Sequence, residues 1–118
     1  MRFAWIIAGG GAGSLCRYLV SRALFNPSHD FPSGTLAVNL AGCFLIGLLA
    51  RALTDESMRL LCITGFLGGF TTFSAFGLET VTLLRNGSTL SAVMYIAASN
   101  LGGVIAAWSG WRLAGLNS

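Results

Sequence analysis

The chemically unusual side chains of this sequence are concentrated in one stretch, Gly65-Phe66-Leu67-Gly68-Gly69-Phe70-Thr71-Thr72-Phe73-Ser74-Ala75-Phe76. It lies in a run, 60–78, that carries no charge. Gly68 and Gly69 each disfavour a helix interior by about 1 kcal/mol relative to alanine, and Thr71 and Thr72 add a few tenths each. Adjacent glycines followed by hydroxyl residues predict a local break in whatever helix spans this run. Inside a bilayer, backbone freed by a break is tolerated only where protein buries it or where it lines a cavity. Freed carbonyls there are hard oxygen donors for a small cation such as sodium. Phe73 and Phe76 are three apart and share a face if the helix resumes at this point. Composition alone favours packing or lipid contact for the four phenylalanines at 66, 70, 73 and 76, but their ring edges are electron-poor and offer a weakly polar surface to an anion. Ser74 is a nearby donor, and so is Asn39 in the middle of another apolar run. An amide in hydrocarbon needs a partner or a wet cavity, which leaves Asn39 with either an interhelical hydrogen bond or a place on a pathway.

The remaining reactive side chains point to little chemistry. Cys16, Cys43 and Cys62 are odd in number and show no CxxC spacing, so they suggest neither a disulfide framework nor a zinc site. His29 is the only histidine and has only Asp30 close by; it reads as a loop residue. No nucleophile–base set appears, and the chain is not expected to be an enzyme. All seven basic residues are arginine and none cluster, so the basic stripe that nucleic acid requires is missing. Gly9-Gly10-Gly11-Ala12-Gly13 contains a GxxxG pair, which allows close approach of helices in lipid. It is not a phosphate loop, since no strand precedes it and no lysine follows.

The elements that must position these residues are membrane spans. Hydrophobic residues make up 54% of the chain and charged residues 9%, against about 25% charged in a soluble domain. Runs 31–50, 60–78 and 86–111 are free of charge, and 3–21 holds only Arg17; a spanning helix needs ~20 such residues. Arg2 ahead of an apolar core has the look of a signal peptide, but three equally apolar segments follow, so the first is read as mature structure. The expectation is an all-α membrane protein, 1–118 forming a single transmembrane domain with four spans at roughly 3–24, 32–52, 58–84 and 88–113, the third broken mid-membrane. So short a chain cannot enclose a solute pathway alone. Arg2, Arg51, Arg59 and Arg112 fall on one side of the membrane, and Arg17, Arg22 and Arg85 on the other. The arginine asymmetry that orients membrane proteins is nearly absent. Insertion in both directions, followed by pairing as an antiparallel dimer, is favoured over an orientation fixed by some other signal.

Taken together, these residues resemble the Fluc (CrcB-like) fluoride channels of bacteria. The resemblance covers nearly the whole chain. It rests on Gly9 to Gly13 with Arg17-Tyr18, on Pro32-Ser33-Gly34-Thr35-Leu36 running to Asn39, and above all on 65–74 with Phe76 and Glu79 following. It implies a multi-pass protein of the bacterial plasma (inner) membrane, an antiparallel, dual-topology homodimer in the lipid bilayer, with two ion pathways and no nucleic-acid partner. It implies a passive, fluoride-selective channel that exports cytoplasmic fluoride. The backbone carbonyls of Gly68 and Thr71 from both subunits would hold a structural sodium ion, and Phe73 and Phe76 would line the fluoride path. Asn39, Ser74 and Asn100 match polar positions on that path. Arg17 matches an arginine with a vestibule or packing role, and Glu79 a frequently acidic position of open function. Where some relatives carry hydroxyl residues one and two turns after the Asn100 position, this chain has Val104 and Trp108, leaving Ser99 or Ser109 to substitute. Two rivals remain. A small dual-topology multidrug or cation exporter needs a membrane-embedded carboxylate, for which Glu79 is the only candidate. An accessory membrane subunit would leave the broken segment without a purpose.

Overall fold

In a computed structural model, described for residues 1–116, the chain is all helical: α1 (Arg2–Ala23), α2 (Ser33–Ala52), a single turn α3 (Glu56–Arg59), a π-helical segment (Leu60–Leu67), a short α4 (Gly68–Phe70), α5 (Phe73–Arg85) and α6 (Thr89–Gly115). Four stretches are long and apolar enough to cross a membrane: Arg2–Ala23, Ser33–Ala52, Glu56–Arg85 and Thr89–Gly115, of 22, 20, 30 and 27 residues. The third joins α3 to α5 and is interrupted at Thr71 and Thr72, both in extended conformation.

Local chemistry sets the ends. Pro32 precedes α2, and Asp55 caps α3 by accepting from Met58 N at 3.0 Å. Arg59 donates to the carbonyls of Ala50 and Leu53 at 2.9 and 2.8 Å, satisfying acceptors at the C-terminus of α2. Between α5 and α6, Gly87 takes a positive φ of 80° while Ser88 N reaches Leu83 O and Gly87 N reaches Leu84 O. This is a Schellman closure, which needs glycine at its left-handed position.

The helices pack as two pairs. α1 lies along the π segment and α4, and α2 along α6. Both contacts are made through glycine. A Cβ on Gly9 would run into Leu61 O and one on Gly13 into Phe66 O; likewise Gly47 meets Ala107 O and Gly110 meets Phe44 O. The GxxxG reading of α1 is therefore realised as backbone-to-backbone contact. Val38, Leu67 and Phe70 form one buried cluster, and Leu83, Ala92 and Tyr95 a second beneath Phe31, Leu36 and Phe76. Large apolar side chains such as Ile7, Leu101, Val104 and Ile105 point outward, as lipid rather than water requires. The molecule measures 47 × 31 × 20 Å. With helices about 10–12 Å across, the smallest dimension corresponds to two helix layers.

Candidate functional site

The break falls just after the glycine pair, not on it. Gly68 to Phe70 remain helical because Gly69 serves close approach instead: a Cβ there would strike Gly10 O. The β-branched pair that follows takes the extended conformation, and its hydroxyls close the helix ends. Thr71 Oγ1 donates to Leu67 O at 2.9 Å, and Thr72 Oγ1 accepts from Ala75 N at 3.2 Å as the N-cap of α5. Ser74 Oγ lies 3.3 Å from the same hydroxyl.

Asn39 on α2 clamps the opened backbone. Its Nδ2 donates to Thr72 O at 3.0 Å and its Oδ1 accepts from Thr72 N at 2.9 Å. The two alternatives open for Asn39 thus meet at one place: it makes the interhelical bond, and it lies on the wall of a groove. From α1, Arg17 Nε donates to Gly69 O at 3.2 Å. The carbonyls of Gly68 and Thr71 receive no hydrogen bond among the described residues.

The groove has a volume of about 520 Å³ and brings together most of the residues singled out above: Asn39, Gly68, Thr71, Phe73, Phe76 and Asn100. Phe73 is 81% exposed on its open side. Phe73 and Phe76 stand 5.5 Å apart, and Phe76 is 5.1 Å from Tyr95, so three rings run inward from the groove. Asn100 spends its amide on Ile96 O of its own helix at 2.8 Å. Ser99, the neighbouring groove residue, has a buried Oγ with no hydrogen-bond partner among the described residues. Of the two hydroxyls left to substitute on the fourth span, Ser99 is the one at the groove; Val104 and Trp108 face outward.

Arg17 and Glu79 stand apart from the groove lining. Glu79 accepts from Thr35 Oγ1 at 2.8 Å and from Tyr95 Oη at 3.0 Å. It lines a second cavity of about 350 Å³ together with Thr35, His29 and Asp30. Sequence reasoning left Thr35 and Tyr95 without a role. The signal was Glu79 itself, since a carboxylate within a span must find donors. Glu79→Gln is expected to leave one of the two hydroxyls without an acceptor and to cost about 1–3 kcal/mol, seen as earlier thermal unfolding of the purified protein. An unchanged transition would show the cluster to be dispensable.

With this geometry in view, the comparisons with known proteins decide the family. The family model described as CrcB-like protein, Camphor Resistance (CrcB), matches residues 4–111. The chain belongs to the CrcB-like family. A fluoride-specific ion channel FluC of Hydrogenobaculum sp. (strain Y04AAS1) is 45% identical over 98% of this chain and 99% of its own length. One from Chlorobium phaeobacteroides (strain BS1) is 45% identical over 92% of this chain and 89% of its own. The fluoride-specific ion channel FluC 2 of Listeria monocytogenes serovar 1/2a is 46% identical over 89% and 84%. These CrcB-like relatives are named as ion channels, a kind of protein that is not an enzyme. Family and spans together make the chain a multi-pass protein of the bacterial inner membrane.

Proposed function

We propose that the chain is a passive fluoride-selective channel that lets cytoplasmic fluoride leave the cell, and that it works as an antiparallel homodimer holding a structural sodium ion at its centre. The observation that carries the reading is the near full-length likeness to channels named fluoride-specific. The geometry supports it in two ways. A slab 20 Å thick has no interior for a pore, yet it carries an open groove lined by a broken span, aromatic rings and amide and hydroxyl groups. Such a groove becomes a pathway when a second copy closes it. The near balance of arginines on the two sides suits a pair of opposite orientation.

The residues present fit a sodium ion. Gly68 and Thr71 line one groove, and their carbonyls take no hydrogen bond among the described residues; two such pairs from two subunits would make an all-oxygen set. When bound, sodium would supply a fixed positive charge that locks the subunits together and raises the local potential for anions. The chain's own groups do the rest. Fluoride is small and strongly hydrated, so its water must be replaced by aimed donors. The polar groups along the groove include Asn39, Thr64, Asn100 and Ser99, whose Oγ is buried and unpartnered among the described residues, with Ser74 next to Thr72. Phe73 and Phe76 offer ring edges between them, and the Phe76–Tyr95 contact leads toward the Glu79 cluster. The positive end of the α5 dipole, capped by Thr72, opens at the same place. Hydrogen fluoride enters a cell as the neutral acid and dissociates inside; a passive pore then lets the anion run out down its gradient. The exporter alternative needs a carboxylate available to substrate, whereas Glu79 is engaged by Thr35 and Tyr95.

The test is fluoride efflux from liposomes containing the purified protein, followed with a fluoride electrode and with chloride run in parallel. Fast fluoride loss with chloride retained is expected. Efflux no faster than from empty liposomes would end the channel reading. Phe73→Ile and Phe76→Ile are each expected to slow efflux about tenfold or more, equivalent to ~1.4 kcal/mol on the barrier, with the dimer intact. Full flux in both variants would remove the ring-edge role.

A further inference from the structure

The short α4 has two faces with different neighbours. Gly69 is pressed on α1, where an added Cβ would strike Gly10 O and come within 3.1 Å of Ser14 Oγ. Gly68 faces the other way: it is exposed, lines the groove, and an added Cβ would find Ile63 O as its nearest contact at 3.9 Å. A turn of three residues followed by extended backbone cannot hold its own carbonyls by helical bonds. Thr72 N, which a continuing helix would direct to Gly68 O, is taken by Asn39. The turn continues the π segment, with Gly68 N bonded to Gly65 O and Ile63 O; at its C-terminal end, where helical bonds stop, its carbonyls are oriented by contacts from outside. On the α1 face, besides the packing of Gly69 on Gly10, the Gly69 carbonyl accepts a hydrogen bond from Arg17 Nε at 3.2 Å, from a half-buried side chain.

We infer that Arg17 is a positioning residue for the cation site: by pinning the Gly69 carbonyl against α1, it fixes the turn so that the adjoining carbonyl of Gly68, and beyond it that of Thr71, face the groove. A guanidinium suits the task because Nε–H is a planar, permanently charged donor with a fixed direction. Lysine would keep the charge but lose that geometry. Arg17 need not touch the ion; it acts through the peptide next to the ligand. This rests on the reading of Gly68 and Thr71 as sodium ligands, and the test separates the two.

Thermal unfolding and dimer content of the purified protein are measured while sodium replaces N-methylglucamine at constant ionic strength, for the wild type, R17K, R17Q and R17M. A ligand bound only by the folded state raises stability according to its concentration relative to its dissociation constant. The wild type is expected to gain stability with sodium. The variants are expected to need about tenfold more sodium for the same half-effect, as loss of one charge-assisted bond implies, with little change in sodium-free buffer. A sodium half-point equal to that of the wild type in R17K and R17M would overturn the inference. So would a loss of stability that is equal with and without sodium, or a failure of all three variants to fold, either of which makes Arg17 a structural anchor only. A wild type indifferent to sodium would instead remove the sodium reading itself, and the inference with it.

Discussion

Asn39→Leu is expected to abolish fluoride efflux and to destabilise the folded protein by several kcal/mol. Leucine shares the branched shape of asparagine but has neither of the groups that pair with Thr72. Both the N–H and the C=O of Thr72 would be left without partners in a region without bulk water. Each orphaned backbone group costs about 1–3 kcal/mol, so the pair amounts to roughly 2–6 kcal/mol if no water enters. Asn39→Asp makes the sharper comparison. A carboxylate can still accept from Thr72 N, but its second oxygen then faces Thr72 O, replacing attraction with repulsion between two acceptors. Aspartate should therefore rescue little. The measurement pairs thermal unfolding, followed by tryptophan fluorescence, with efflux from liposomes. A leucine variant of normal stability that has lost only its flux would mean that Asn39 lines the path without holding the break.

That clamp also shows how far the sequence could be read. Composition and charge-free runs are enough to establish a helical membrane protein with four spans, because hydrocarbon admits few alternatives. The character of 65–76 was legible too, since an adjacent glycine pair followed by two threonines and a serine sits badly in one helix. The position of the break was not legible. Helix propensity charges the fault to Gly68 and Gly69, but tertiary contact overrides it: α1 needs Gly69 flush against Gly10, and the hydroxyls of Thr71 and Thr72 can satisfy the open ends. The π-helical turn at Leu60–Leu67 left no mark in the sequence at all. Pairings between spans were equally hidden. Asn39 and Glu79 each announced a need for partners, yet only the packing identifies Thr72 for one and Thr35 with Tyr95 for the other. On the fourth span the sequence left Ser99 and Ser109 as the hydroxyls able to stand in for Val104 and Trp108. Packing separates the two: Ser99 lines the groove beside Asn100, while Val104 and Trp108 face outward.

Gly13→Leu is expected to leave little folded protein, while Gly11→Leu, two residues away, is tolerated. The difference lies in what a side chain would meet. At Gly13 a Cβ would collide with Phe66 O and Phe70 N, backbone atoms that cannot swing aside. α1 would have to lift off the π segment. Overpacking of a tight contact usually costs about 1–3 kcal/mol where side chains can yield, and here the obstacle is main chain, so the upper end or beyond applies. Displacement there would also pull Arg17, one turn further along α1, away from Gly69 O, linking loss of packing to loss of the break's geometry. At Gly11 nothing lies within 4 Å, and leucine removes a glycine penalty of about 1 kcal/mol in the helix interior. Dimer content on size-exclusion chromatography and the unfolding midpoint measure both variants. Equal tolerance at the two positions would mean that α1 does not seat on the third span as described, and the reading of Arg17 as the hold on Gly69 would lose its footing with it.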